Sequence, residues 1–154
     1  MALATENMRL NFGDSAAHSE VAADAVEYLK DIGDRYDLII LDSFKPDTDD
    51  MRDAPALDII PALTANGAKL KIYDPKGMNE AAKLLKDVTW CNNSAEAMTN
   101  ADALVILTEW NEFSSLKPET FKDIMKGRII VDLRNVFDPV RAKEAGFDYS
   151  CIGR

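Results

Sequence analysis

The stretch "DLIILDSFKPDTDDMRDAP", residues 37–55, joins a nearly continuous apolar run to a loop, residues 42–55, in which Lys45 and Arg52 stand among five aspartates. An apolar run without polar alternation is typical of a strand covered on both faces, as in a parallel sheet. Ligands of open α/β sheets gather where such strands end. The stretch therefore predicts a buried parallel strand that leads into a charged loop at the ligand-binding edge.

Similar apolar runs recur along the chain and alternate with apolar stripes at helical spacing. The other runs lie at residues 8–13, 68–74, 87–91, 102–109 and 128–134. The stripes are formed by Val21, Ala22, Ala25, Val26 and Leu29, and by Ala56, Leu57, Ile59, Ile60 and Leu63. This alternation predicts an α/β fold: a three-layer, doubly wound, mostly parallel, Rossmann-like sheet in a single domain over residues 1–154.

The second stripe carries its own start and stop signals. Pro55 favours a first helical turn, and Gly67 favours a helix end. Pro61 lies inside the stripe, where it removes a backbone donor, so we expect this helix to be kinked or to start late.

Composition narrows the class of protein. The chain has 154 residues, 47% of them hydrophobic, and a formal net charge of −9. This acidic average argues against a nucleic-acid partner, which requires clustered cations. Neither a signal peptide nor a membrane span can be recognised, and Cys91 and Cys151 form no CxxC pair. We expect a soluble, cytoplasmic protein without a membrane partner, with reduced thiols and with Cys91 as a small core residue.

Several kinds of site lack their sequence signals. No two of the seven glycines are two positions apart, which excludes a GxGxxG dinucleotide fingerprint, and there is no P-loop. His18 is the single histidine, so a histidine triad or a multi-histidine metal site cannot be built. Asp47, Asp49, Asp50 and Asp53 pair more simply with the two cations beside them than with a metal, and we predict no metal site.

Five stretches, in order, carry a family resemblance: "FKPDTDDMRDAPALDIIPAL", "GAKLKIYDP", "ADALVILTEWNEF", "IIVDLRNVFDP" and "YSCIGR". Over residues 44–154 the chain resembles the C-terminal, nucleotide-sugar-binding domain of the UDP-glucose/GDP-mannose dehydrogenase family, and within it the UDP-glucose 6-dehydrogenases. In that family an NAD-dependent, two-step oxidation converts the sugar 6-hydroxyl to a carboxylate, and this domain covers the UDP-sugar.

The resemblance implies roles for three cations. Lys45 of "FKPDTDD" and Arg134 of "DLRN" would contact the UDP-sugar, with Arg134 near its phosphates, and Arg52 of "DMRD" would face the NAD side of the cleft. Structural alternatives stay open: Lys45 and Arg52 can neutralise neighbouring aspartates, and Arg134 can be a salt-bridge partner at a strand end. We expect Trp110 and Phe113 to pack beneath the cleft.

The family's NAD-binding domain and catalytic cysteine have no counterpart in this sequence. Without a hydride acceptor or a thiol, we expect no catalytic residue, no cofactor bound by this chain alone, and no dehydrogenation by it. Because half of the cleft wall is missing, UDP-glucose or UDP should bind weakly. In the family this domain also joins subunits, which allows a homodimer, although no interface can be recognised.

Residues 8–43 resemble a different family. "MRLNFGDSAAH" and "DAVEYLKDIGDRYDLIILDSF" are similar to part of an S-adenosylmethionine-dependent methyltransferase or spermidine-synthase-like fold. The resemblance would make Asp14 and Asp42 vestigial adenosyl-site acids, because that family's Gly-rich loop and ribose-binding acid are missing. We interpret the chain as a chimera that joins a methyltransferase-like β-α-β segment, residues 8–43, to the dehydrogenase-like segment, residues 44–154.

Three functions stay open at this stage. The chain is a UDP-glucose-binding domain, a chimeric Rossmann-like scaffold without activity, or the remnant of an S-adenosylmethionine-type transferase. Titration with each ligand separates the three.

Overall fold

A computed structural model describes the backbone of residues 37–41 and the whole of residues 54–151. Its elements alternate along the chain: β1 (Asp37–Leu41), α1 (Ala56–Ala65), β2 (Lys69–Tyr73), α2 (Met78–Leu84), β3 (Val88–Trp90), α3 (Ser94–Met98), β4 (Ala103–Ile106), α4 (Asn111–Ser114), α5 (Pro118–Phe121), β5 (Ile129–Asp132), α6 (Pro139–Glu144) and β6 (Asp148–Cys151). The run at 8–13, the first helical stripe, His18, the acidic cluster, Asp14, Asp42, Lys45 and Arg52 lie outside the described residues.

The six described strands form one sheet in the order β3-β2-β1-β4-β5-β6, and every neighbouring pair is parallel. The predicted α/β sheet is confirmed, as are its strands near 37–42, 68–74, 87–91, 102–109 and 128–134. Strand β6 was not predicted. It occupies the sheet edge beside β5, and its sequence "DYSC" alternates between exposed and buried positions instead of forming an apolar run.

Two apolar clusters cover the two faces of the sheet, which confirms the three-layer prediction. Along β4, Ala103 and Val105 belong to one cluster, and Leu104 and Ile106 belong to the other. The first cluster also takes the buried side chains of α1 and α2. Helices α3 to α6 contribute to the second cluster. Strand β4 is buried at every position, which explains why its sequence is a continuous run of apolar residues.

Helix α1 begins at Ala56, directly after Pro55, so the expectation of a late start is wrong. Pro61 lies inside the helix. Its ring removes one backbone hydrogen bond, but buried Ile59 and Ile60 before it and Leu63 after it hold the helix against the sheet. Past the helix end, Gly67 has a φ of +89°, a conformation that glycine adopts without a Cβ penalty.

A close backbone approach joins the turn before β5 to the start of β4. The amides of Lys126 and Gly127 both donate to the Ala101 carbonyl, over 2.9 and 3.0 Å. A Cβ on Gly127 would lie 1.8 Å from the carbonyl oxygen of Asp102, so only glycine fits. This contact fixes the entry of β5 into the sheet beside β4.

None of the helices in residues 54–151 is long and apolar enough to cross a membrane.

Candidate functional site

The carboxyl edge of the sheet has its topological switch point between β1 and β4, because β1 is followed along the chain by β2 on one side and β4 lies on its other side. Such a switch point is where doubly wound folds bind ligands. The last residues Leu41, Ile106 and Asp132 are paired in register, so β1, β4 and β5 end level with one another. The loops after these three strands therefore share one rim.

Arg134 lies on this rim, two residues after β5. Its Nη2 donates to Glu109 Oε1 over 3.0 Å, and Glu109 follows β4. The Arg134 side chain is 20% exposed and that of Glu109 is 51% exposed. The strand-end salt bridge that the sequence left open for Arg134 is therefore present. Such a partly exposed pair contributes at most about 1 kcal/mol, so an incoming anion can compete for the guanidinium.

The backbone of Arg134 is held by Asp132, the last residue of β5. The Asp132 carboxylate is fully buried, and its Oδ1 accepts from the Arg134 amide over 3.0 Å. Its Oδ2 accepts from the Phe137 amide over 2.9 Å and from the Tyr149 hydroxyl over 2.8 Å. One carboxylate thus closes the loop between β5 and α6 and connects it to β6.

The same loop is anchored on both faces of the sheet. Leu133 is buried in the cluster that contains α1, and Phe137 is buried in the opposite cluster. Asn135, between them, has a φ of +56°, a left-handed conformation that asparagine tolerates better than most residues. In the described part of the chain, Asn135 Oδ1 and Thr108 Oγ1 are buried without a hydrogen-bond partner. Thr108 lies in the loop after β4, which carries Glu109, and Asn135 lies in the loop after β5, which carries Arg134.

Asp74, the residue after β2, resembles a rim residue in the sequence but is turned into the protein. It is 2% exposed, and its Oδ1 accepts from the amides of Lys76 and Gly77. Its Oδ2 accepts from Trp110 Nε1 over 3.3 Å. Burial raises the pKa of Asp74, and the hydrogen bonds from Gly77, Lys76 and Trp110 oppose that rise. Asp74 is therefore a turn-closing residue rather than a ligand contact.

Trp110 and Phe113 are buried, as the sequence predicted. Phe113 packs edge-on against Tyr73, with the ring centroids 6.1 Å apart. The Tyr73 hydroxyl donates to Glu112 Oε2 over 3.0 Å, and the Ser94 hydroxyl donates to Glu112 Oε1 over 3.2 Å. Burial, followed by the Glu112 hydrogen bond, raises the pKa of Tyr73 to about 12. These contacts join the end of β2 to α3 and α4.

Both cysteines are buried and neither forms a disulfide. Burial raises the pKa of the Cys91 thiol, which opposes formation of the reactive thiolate. Cys91 is a small core residue, as predicted. Within residues 54–151, no group of three His, Cys, Asp or Glu side chains is placed to hold a metal ion.

A groove of about 540 Å³ lies away from the rim, between the second half of α1 and the end of α2. It is lined mainly by apolar side chains such as Ile60, Leu84 and Leu85. Arg134 is not among the described residues that line it.

The sequence singled out Arg134 as a candidate but not the residues that hold it. Asp132 in "DLRN" is the last residue of β5, and Glu109 in "TEW" lies three residues after β4; these positions were the available signal. Nothing in the sequence marked Tyr149 as the partner of Asp132, because β6 itself was not recognised.

Comparison with known proteins gives one family. Residues 42–139 match the model of the UDP-glucose/GDP-mannose dehydrogenase family, UDP binding domain. Among curated proteins, the chain is 46% identical over 112 residues to a UDP-glucose 6-dehydrogenase of Rhizobium meliloti, which covers 73% of this chain and 26% of that protein. It is 42% identical to UDP-glucose 6-dehydrogenase TuaD of Bacillus subtilis, covering 73% of this chain and 24% of that protein. The chain thus spans about a quarter of the length of these relatives.

Solved structures show the same similarity. An NDP-N-acetyl-D-galactosaminuronic acid dehydrogenase from Methanosarcina mazei superposes with a TM-score of 0.72 at 30% identity, covering 90% of this chain and 29% of that one. A UDP-glucose dehydrogenase from Pyrobaculum islandicum superposes with a TM-score of 0.69 at 26% identity, covering 88% of this chain and 29% of that one.

Proposed function

Because the chain belongs to the UDP-glucose/GDP-mannose dehydrogenase family, as its UDP-binding domain, we propose that it binds the uridine diphosphate part of UDP-glucose at the carboxyl edge of its sheet. The observation that carries this proposal is the position of Arg134. Its guanidinium lies on the rim, two residues beyond β5 and beside the loop after β4, and is partly exposed. A guanidinium there can bind phosphate oxygens in pairs.

Lys45 supplies the second cation in this proposal. It follows β1, which pairs with β4, so the chain leaves β1 at the same rim on which Arg134 lies. Support for its contact with the UDP-sugar is the family motif "FKPDTDD", and Arg52 is assigned to the NAD side of the cleft on the same ground.

We propose that oxidation of the sugar belongs to a larger assembly of the family's parts and that this chain contributes ligand binding. Cys91 and Cys151 are the cysteines of the sequence, and both are buried in the core. Neither can form a covalent intermediate with a bound sugar without leaving the core. NAD accordingly enters the proposal as a cofactor of the full-length family and not as a ligand of this chain alone.

The methyltransferase resemblance of residues 8–43 and the chimeric join stay predictions, as does a homodimer. The alternatives of an inactive scaffold and of an S-adenosylmethionine-type transferase are not favoured, because the family match spans residues 42–139.

The test is calorimetric titration of the chain with UDP-glucose and UDP. We expect binding weaker than in a closed cleft, and a loss of about tenfold in affinity for Arg134→Ala and for Lys45→Ala, the size expected when a charge-assisted hydrogen bond is removed. Arg141→Ala is the matched control, because Arg141 is also ion-paired, with Glu119 over 3.1 Å, but lies on α6. Affinity that is equal for all four proteins, or no saturable binding at all, would contradict the proposal.

A further inference from the structure

We propose that Asp132 and Tyr149 are positioning residues for Arg134: together they hold its backbone so that the guanidinium faces the ligand at the rim. This inference rests on the proposed function, because it assigns Arg134 a ligand to meet. It adds a residue of β6, the edge strand, to the binding machinery.

Asp132 closes the loop after β5 by accepting hydrogen bonds from two amides of that loop, those of Arg134 at 3.0 Å and Phe137 at 2.9 Å. A buried carboxylate pays a large desolvation cost and is stable only when its oxygens accept hydrogen bonds. The Asp132 carboxylate therefore depends on the hydrogen bonds from these two amides, and the same bonds fix the positions of the amides.

Tyr149 completes this set from outside the loop. Its hydroxyl lies 2.8 Å from Asp132 Oδ2 and 3.2 Å from the Phe137 carbonyl oxygen. A phenol has one proton to donate, and the shorter distance assigns it to the carboxylate. Burial, followed by the charge of Asp132, raises the pKa of Tyr149, so the hydroxyl keeps this proton at neutral pH.

The loop has little freedom to compensate for a lost hydrogen bond. Leu133 is fixed in one apolar cluster and Phe137 in the other, on opposite faces of the sheet. The residues between them must therefore cross the sheet edge, and Asn135 does so with a φ of +56°. Removing the Tyr149 hydroxyl leaves the two anchors in place but frees the Asp132 carboxylate to rotate, which shifts the Arg134 amide.

The chain offers a matched control beside β2, away from the Arg134 loop. Tyr73 also donates its hydroxyl to a carboxylate, that of Glu112 over 3.0 Å, but this pair lies beside β2 and is separate from the Arg134 loop. Tyr73→Phe and Tyr149→Phe each remove one phenol-to-carboxylate hydrogen bond. They differ in whether that carboxylate holds Arg134.

The experiment is a double-mutant cycle on the full chain, with UDP as the calorimetric probe. We expect Tyr149→Phe to weaken UDP binding about threefold, the size of one lost hydrogen bond, and Tyr73→Phe to leave it unchanged. In an Arg134→Ala background, Tyr149→Phe should have no further effect, because the group it positions is gone. Equal weakening in both backgrounds, or no weakening in the wild-type background, would overturn the inference.

A second readout needs no ligand and separates this inference from the proposed function. Amide hydrogen exchange followed by NMR should be faster at Arg134 and Phe137 in Tyr149→Phe than in the wild type, and unchanged there in Tyr73→Phe. Asp132→Asn should accelerate the same two amides. Faster exchange without any UDP binding by the wild type would overturn the proposed function and the ligand role inferred here. UDP binding that depends on Arg134, with unchanged exchange and affinity in Tyr149→Phe, would overturn the positioning role alone.

Discussion

Arg134 and Glu109 bridge the loops that follow two neighbouring strands, with Nη2 of the arginine 3.0 Å from Oε1 of the glutamate. The pair therefore joins the ends of β4 and β5 at the rim where the ligand is proposed to bind. Glu109 occupies a place beside the guanidinium that a phosphate of the proposed ligand would also use, and in a chain with a net charge of −9 it adds to the repulsion that any anion meets.

Glu109→Gln should tighten UDP binding by about threefold, because the neutral amide competes less for Arg134 and removes one repulsive charge; a partly exposed ion pair has an energy of that size. Calorimetric titration at low and high salt measures it, and the gain should shrink as salt screens the charge. Glu119→Gln is the control, since Glu119 pairs with Arg141 at a similar distance of 3.1 Å. Weaker binding by Glu109→Gln would show instead that the glutamate orients the guanidinium.

Tyr73 should make folding sensitive to alkaline pH. Its pKa is raised from 10.0 to about 12, so the folded protein holds this proton more tightly than the unfolded chain does. The stability that it contributes is fully present below pH 10 and is lost as the pH rises through about 12. Urea unfolding of the wild type and of Tyr73→Phe should therefore give a difference in free energy that is constant up to pH 9 and shrinks above pH 10. A difference that does not change with pH would contradict the assigned cause.

Gly127→Ala should destabilise the protein by about 3 kcal/mol, because the added methyl group would overlap a backbone carbonyl that cannot rotate away. The Cβ would lie 1.8 Å from the Asp102 oxygen. Urea unfolding measures the change. Gly67→Ala is the comparison, since its φ of +89° adds strain but no atom beyond the adjacent residues lies within 4 Å of the added Cβ. That variant should lose only about 1 kcal/mol, and an equal loss in both variants would refute the steric argument.

Asp138→Ala should cost about 1 kcal/mol of stability through loss of the cap of α6. The Asp138 Oδ1 accepts from the amides of Val140 and Arg141, over 2.8 and 3.1 Å. Asp138→Asn keeps an acceptor oxygen and should retain most of this stability, which thermal unfolding can compare. Equal losses in Asn and Ala variants would mean that the charge, and not the hydrogen bonds, stabilises the helix end.

The buried strands could be predicted because a strand that is buried on both faces has a continuous run of apolar residues in the sequence. Val105 in β4 and Val131 in β5 lie in such runs. The edge strand β6 has a weaker apolar pattern: Tyr149 and Cys151 are buried, but Asp148 between Phe147 and Tyr149 is exposed. A strand of four residues with this alternation cannot be distinguished from a turn without knowledge of its neighbour β5.

The location of the candidate site could be predicted from the sequence, but the hydrogen-bond partners of its residues could not. Polar residues after strands marked the rim, and Arg134 was found there. Whether a strand-end carboxylate faces solvent or the interior depends on distant donors, however. Asp74 is turned inward by Trp110, which is 36 residues further along the chain, and Asp132 by Tyr149, which is 17 residues away. Local sequence does not record such pairings.

The inward turn of Asp74 also limits which ligands this sheet can accept. Its strand order is the one that holds dinucleotides elsewhere, where an acid at the end of the second strand binds the hydroxyls of a ribose. Here the oxygens of that acid, Asp74, accept hydrogen bonds from two amides and an indole beneath the surface. Among the residues that the structure describes, the acid at the end of β2 is therefore turned away from any ribose that would bind at this corner.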